Sequence, residues 1–218
     1  MKLDTRTVQV LRNFSTINPS LVFKKGSSIS TISPGKTVMA LAKVDTEFPQ
    51  DFAIYDLSEF LGALSLFNEP DLDFGTRSVT IQSGKSRVVY IYGQEDNIVK
   101  PPAIEKFKMP ESVYEFDLPA EVLSKALKAI GTFQLPELAI TSKDGEVQIQ
   151  AVNSKNPTGN FYSETIGECE QIFKAILRVE NLKVIPDNYH VTITQGLAKF
   201  SSANIDYYIA VEAESEFK

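Results

Sequence analysis

The apolar positions of the chain change period several times, and each change marks an element. Val10, Leu11, Phe14 and Ile17 recur at helical spacing, while Thr5, Gln9, Arg12 and Thr16 occupy the opposite side. This pattern predicts an amphipathic helix from Thr5 to about Ile17. Asp4 stands at its N-cap position, Leu3 and Val8 are placed as a hydrophobic staple, and Pro19 ends it. Residues 21–23 and 29–32 read as a hairpin turning at 24–27, and 38–44 as a third strand. Phe52, Ala53, Ile54 and Tyr55 form a short apolar strand. The spacing then switches to Leu57, Phe60, Leu61, Leu64 and Phe67, one face of a second helix. Asp56 sits at the switch as its cap, and Glu59 completes a capping-box pattern. Three short strands follow at 72–74, 78–82 and 87–92.

Residues 94–110 carry Pro101, Pro102 and Pro110 with no sustained period, and read as an extended linker between domains at 1–93 and 111–218. The second half restarts the pattern. A strand at 113–116 precedes a helix with Pro119 in its first turn, where a missing N–H costs little. Leu118, Val122, Leu123, Ala126, Leu127 and Ile130 supply its buried side; Glu121, Lys125, Lys128 and Thr132 lie opposite. A shift of 116 positions lays the polar stripe and the apolar stripe of the first helix on those of this one. A shift of 122 lays Ile54, Leu57 and Phe60 on Ile176, Val179 and Leu182, predicting a short fourth helix at 180–184 stopped by Pro186. Strands at 189–194, 198–201 and 207–211 close the pattern. The fold class is therefore α+β: four copies of a helix-plus-strands unit, paired into two similar domains.

Composition narrows the function. The 218 residues, 43% hydrophobic and 23% charged, suffice for two small domains with real cores. A net charge of −6 excludes a wholly basic nucleic-acid binder but leaves room for a basic stripe. Cys169 and His190 are the single cysteine and histidine, too few for a disulfide framework, a zinc site or a histidine-based dyad. Cys169 lies between Glu168 and Glu170, which disfavour a thiolate. Asp71 and Asp73 alternate on a short strand, a weak metal signal. No phosphate-binding glycine loop, dinucleotide fingerprint or metal-ligand spacing is present, so the sequence predicts no enzyme, no cofactor and no metal.

Met1-Lys2-Leu3, the run Leu11-Arg12-Asn13-Phe14-Ser15-Thr16-Ile17-Asn18, Phe52-Ala53-Ile54-Tyr55-Asp56-Leu57, Phe60-Leu61-Gly62 and Leu64-Ser65-Leu66 closely resemble the DNA polymerase sliding clamps of T-even-type bacteriophages. Tyr207-Tyr208-Ile209-Ala210-Val211-Glu212-Ala213 also resembles the last strand of those clamps and of the eukaryotic clamp. The resemblance implies a homotrimeric ring with helices lining the hole and sheets outside. Such a ring encircles duplex DNA without sequence specificity and tethers the replicative polymerase. It is opened by an ATP-dependent clamp loader and also serves late transcription factors. The location it implies is the host-cell cytoplasm. It places Arg6, Arg12, Lys125, Lys128 and Lys183 toward DNA. Val44, Phe48, Ile98, Val99, Pro101, Tyr208 and Ala210 become walls of a groove for short hydrophobic partner tails. Arg87, Val89 and Ile91 of one subunit are set against Phe161 and Ser163 of the next. The alternative is a phage structural or assembly ring built on duplicated β-rich domains without DNA tethering.

The residues are consistent with phosphate contact. A helix face bearing Arg12 with Gln9, or Lys125 with Lys128, offers cations and neutral polar groups with few carboxylates, which attract phosphates without reading bases.

Overall fold

The first helix shows why it starts where it does. Asp4 is extended (φ −74°, ψ 162°), and one of its carboxylate oxygens accepts the Thr7 N–H at 2.8 Å. The other accepts the hydroxyls of Thr7 and Thr46, fastening the helix start to a strand 42 residues on. Burial alone would raise the Asp4 carboxyl, but the hydrogen bonds from Thr46 and Thr7 outweigh it and hold the pKa at about 2.

The computed structural model describes residues 1–103 and 107–218, and the chain divides into two units, Met1–Ile104 and Glu105–Lys218. The first contains α1 (Thr5–Ile17), β1 (Leu21–Phe23), β2 (Gly26–Ile32), β3 (Val38–Phe48), β4 (Phe52–Ile54), α2 (Leu57–Ser65), β5 (Asp71–Phe74), β6 (Ser78–Ser83) and β7 (Ser86–Ile91). Val10, Leu11, Phe14 and Ile17 are buried, as their spacing requires. The core beside them is aromatic: Phe23 stacks on Phe52 at 4.3 Å and meets Phe48 at 4.9 Å.

β1 does not form the predicted hairpin with the strand after it. It pairs antiparallel with β4, Leu21 opposite Ile54, while β2 pairs with β3. Asp51 takes the Lys25 N–H at 2.7 Å and the Lys24 ammonium at 3.0 Å, drawing the end of β1 toward β4. Gly26, at φ 112°, then turns the chain away into β2, a conformation that a side chain would strain.

α2 is capped as its sequence predicts, with the Glu59 N–H donating to Asp56 at 2.9 Å. The Glu59 carboxylate accepts the Tyr90 hydroxyl at 3.2 Å, and the Phe60 and Tyr90 rings meet edge to face at 5.3 Å. Tyr90 thus holds the inner face of β7 on α2. β5, β6 and β7 form a three-stranded antiparallel sheet in that order.

The second unit contains β8 (Ser112–Leu118), α3 (Ala120–Phe133), β9 (Glu137–Lys143), β10 (Glu146–Val152), β11 (Tyr162–Glu168), β12 (Phe173–Arg178), β13 (Tyr189–Thr194), β14 (Leu197–Ser201), β15 (Ile205–Ala210) and β16 (Glu216–Phe217). One sheet runs β11-β10-β9-β12-β16, and β8-β13-β14-β15 are neighbours in that order. Tyr114 of β8 lies over Gly167 of β11, where a Cβ would stand 2.5 Å from its hydroxyl, so a side chain there would require the tyrosine to move. Pro119 proves to be the N-cap of α3 rather than a first-turn residue, and the Ala120 N–H is taken by Asn188 at 2.8 Å.

The predicted fourth helix at 180–184 is a single 3-10 turn, Val179–Asn181. Arg178 stands where Asp56 stands in the first unit, and its side chain goes to Glu212 at 2.7 Å instead of capping. Val184 and Ile185 are buried in an extended run, with the Ile185 N–H donating to the Tyr207 hydroxyl at 3.2 Å and the Ile185 carbonyl accepting from Tyr189. The duplication nevertheless survives in one bond. Leu57 donates its N–H to the carbonyl of Pro19 at 2.7 Å, and Val179 donates to that of Pro136 at 2.9 Å.

Candidate nucleic-acid interface and assembly edges

The two long helices carry equivalent polar stripes. Thr5, Gln9, Arg12 and Thr16 on α1 lie on the side away from its buried face, and Glu121, Lys125, Lys128 and Thr132 hold the same place on α3. Ile17 and Phe133, 116 residues apart, are the last residues of the two helices, so the sequence shift is also a structural register. Arg12 and Lys128 occupy matching positions, and neither forms an ion pair with a described residue. Their charges are open to a ligand. Guanidinium and ammonium groups on such stripes suit phosphate oxygens.

Lys125 differs from the expectation of a face with few carboxylates. Its ammonium lies 3.0 Å from Glu121 and 3.8 Å from Glu164 of β11, and Glu164 also accepts the Tyr162 hydroxyl. The hydrogen bond to Glu121, then the charges of Glu121 and Glu164, raise the Lys125 pKa. Its charge is therefore already compensated. Arg6 is half-buried at the flank of α1, and Lys183 is half-buried just beyond the 3-10 turn.

Two sheet edges carry exposed apolar side chains. β7 is the outer strand of its sheet, with Arg87 exposed, Val89 at 51% and Ile91 at 67%. β11 is the outer strand of the five-stranded sheet, with Ser163 exposed and Phe161, just before it, at 64%. An outer strand with such side chains presents a row of backbone groups and an apolar surface that another chain can complete.

The residues expected to wall a groove fall into two sets. Val44, Phe48, Ile98 and Tyr208 are buried, and Phe48 belongs to the aromatic core of its unit. Val99 is exposed, and Pro101 and Ala210 are half-buried. Tyr208 packs edge to face on Phe107 at 5.2 Å, with the Lys199 ammonium 5.5 Å from its ring centre. Sequence reading missed what holds the start of the linker. Glu95 accepts from Lys24 and from Lys100, each at 3.0 Å, and Lys24 also binds Asp51. Lys24 and Glu95 are 71 residues apart, and no local pattern announces the pair.

His190 is exposed on β13, its Nδ1 2.9 Å from Asp117 and its Nε2 3.6 Å from Glu115 of β8. The Asp117 hydrogen bond is the main reason its pKa is raised. Among the described residues no group of three or more His, Cys, Asp or Glu could hold a metal ion, and no helix is long and apolar enough to cross a membrane.

Comparison with known proteins covers nearly the whole chain. The profile of a family described as DNA polymerase processivity factor matches residues 2–100, and one described as gp45 sliding clamp, C terminal, matches residues 115–213. The sliding clamp of Enterobacteria phage T4 is 32% identical over 227 residues, covering 99% of this chain and 98% of that one. The sliding clamp of Vibrio phage KVP40 is 31% identical over 222 residues, 98% of this chain and all of that one. Among solved structures, the A. fulgidus PCNA bound to the C-terminal region of FEN-1 superposes with a TM-score of 0.71 at 13% identity, over 96% of both chains. The DNA polymerase III β subunit of Pseudomonas aeruginosa gives a TM-score of 0.64 at 11% identity, over 97% of this chain and 63% of that subunit. These two likenesses establish the clamp fold.

Proposed function

The chain belongs to the phage sliding-clamp family of DNA polymerase processivity factors, and from that premise we propose that it encircles duplex DNA as a homotrimeric ring and tethers a replicative polymerase. The observation that carries the reading is the repeated placement of Arg12 and Lys128 on the polar stripes of two helices in one register. Tripled by symmetry, a few cations attract the duplex without fixing it to a sequence. Each contact lowers the logarithm of affinity by about 0.9 per decade of salt for each phosphate neutralised, so a sparse set favours sliding. Retention then comes from closure of the ring, which salt does not screen. The acidic remainder of the surface keeps DNA off the outside.

Closure joins the β7 edge of one subunit to the β11 edge of the next, burying Val89, Ile91 and Phe161 in a head-to-tail contact. Short hydrophobic tails of partners dock beside Val99 and Pro101, the accessible residues of the expected groove in the first unit. The clamp itself does no chemistry. An ATP-dependent loader opens it in the host cytoplasm, and late transcription factors use the same ring. The test is retention on circular against linearised DNA, with loader and ATP present. The protein should stay on the circle and run off after linearisation at unchanged salt. Equal loss from both forms overturns the reading.

A further inference from the structure

Both sheets that carry an open apolar edge are closed on their other side by the chain itself. In the three-stranded sheet β7 is open, while on β5 the Leu72 N–H donates to the Met1 carbonyl at 2.6 Å and the Leu72 carbonyl accepts from the Met1 nitrogen at 2.8 Å. In the five-stranded sheet β11 is open, while the outer side of β12 is covered by residues 212–218. The cover is nearly continuous. Lys218 donates its N–H to the carbonyl of Ile172 at 3.1 Å, Phe217 and Glu216 pair with Phe173 and Lys174, and Glu212 donates to the carbonyl of Ile176 at 2.9 Å. Where the strand register runs out, a side chain takes over: the Ile176 N–H donates to the Ser215 hydroxyl at 2.9 Å. The Arg178 guanidinium then pins the start of the segment through Glu212 at 2.7 Å.

A seven-residue segment that meets the outer backbone groups of β12 from Ile172 to Ile176 is more than a loose end packed on a surface. An unpaired edge is a template for another chain, and a closed ring needs one donor edge and one acceptor edge per subunit. A second open edge on the five-stranded sheet would let a protomer capture a further copy on the wrong side. We propose that residues 212–218 act as a self-strand that covers the β12 edge and leaves only the two-residue β16 outermost there, so that the seven-residue β11 is the one long outer strand of this sheet that can receive another copy of this chain. The inference rests on the ring reading only for the size of the correct assembly. The blocking role concerns the difference that removing the segment makes.

The experiment compares the intact chain with a deletion of 212–218 and with the paired substitution Ser215→Ala and Lys218→Pro. The pair removes two of the covering bonds while keeping most of the segment. Sedimentation across a concentration series gives the assembly size, and hydrogen exchange at the Ile176 amide reports whether the edge is open. The expected result is Ile176 exchange about tenfold faster in dilute, unassembled variant, with assemblies heavier than the intact protein forming as the concentration rises. A synthetic peptide of residues 212–218 in excess should reverse both. Unchanged size across the series with a freely exchanging Ile176 amide overturns the proposal, and so does an amide still protected in the unassembled deletion variant. Where the deletion loses its circular dichroism spectrum, the paired substitution decides. An intact protein that is not a closed trimer would count against the ring reading alone, because the blocking role is read from variant against intact.

Discussion

The two units of the chain follow one plan and depart from it most at their second helix. α1 and α3 keep their polar stripes in step over 116 residues, yet α2 has nine residues where the second unit has one 3-10 turn. The caps of the long helices also differ. α1 is started by its own Asp4, α3 by Asn188 from a loop 68 residues away. The duplicated feature is therefore the stripe and not the device that starts the helix. The second helix supports a sheet edge in the first unit only. Tyr90 bonds Asp56 and Glu59 and holds β7 on α2, whereas Arg178 gives its side chain to Glu212 on the segment that covers β12.

If the open edges of the two units are complementary, charge on either should separate subunits without unfolding them. The pair Val89→Asp and Ile91→Asp, or Phe161→Asp alone, should weaken association by about 2–4 kcal/mol, as truncating a central apolar anchor does. Sedimentation at micromolar concentration should show monomers with an unchanged circular dichroism spectrum. Trimers surviving both sets of substitutions would break the pairing of β7 with β11. The same variants should lose retention on circular DNA while keeping their weak affinity for linear duplex.

The caps give a smaller effect and sharpen the comparison. Asp4→Ala removes a cap and leaves Thr46 without its acceptor, and should cost about 1–2 kcal/mol in denaturant unfolding at pH 7. The Asp4 pKa is depressed to about 2, so its stabilisation is complete above the ordinary carboxylate value of 3.8 and is lost as pH falls through about 2. The stability curves of the two proteins should therefore converge on acidification from pH 4. A constant gap down to pH 2 would show that the hydroxyl contacts do not depend on the charge. Asp56→Ala should cost about 1 kcal/mol. Arg178→Asp should add no helix by far-ultraviolet circular dichroism, because Pro186 and the buried run Val184–Ile185 still end the turn.

These contrasts also mark what the sequence disclosed. Helical spacing located α1, α2 and α3, and local capping residues marked the starts of α1 and α2, because those signals lie within a few residues of one another. Both polar stripes were legible, since exposure follows from the same period. The hairpin at 21–32 failed because strand partnership is a long-range choice. Phe23 finds Phe52, 29 residues on, and nothing in either strand names the other. The fourth helix failed because the apolar spacing shared with α2 comes without a cap: Arg178 stands where Asp56 caps α2. The compensation of Lys125 was half visible. Glu121 lies four residues before it, but Glu164 comes from a strand whose neighbour is set by tertiary packing. The cover over β12 left no sequence signal at all beyond a serine and a short alternation near Glu216.

The smallest expected effect tests the two stripes against each other. Arg12 and Lys128 form no ion pair with a described residue, so Arg12→Ala and Lys128→Ala should each reduce the salt slope of linear-duplex affinity by about 0.9 for every phosphate that the side chain neutralises. Lys125→Ala should change it less, because Glu121 and Glu164 already neutralise that ammonium. Glu121→Gln should then bring the Lys125 effect toward that of Lys128, with tighter binding at low salt, since Glu121 is the nearer partner of that ammonium. Titrations of fluorescent duplex at several salt concentrations measure all four slopes. Equal slopes for Lys125→Ala and Lys128→Ala in the otherwise native chain would mean that DNA opens the ion pair at little cost, as an exposed pair worth well under about 1 kcal/mol would allow. In that case the two lysines of the α3 stripe act as one unit against the single arginine of the α1 stripe, and the α3 stripe carries the larger share of the grip on the duplex.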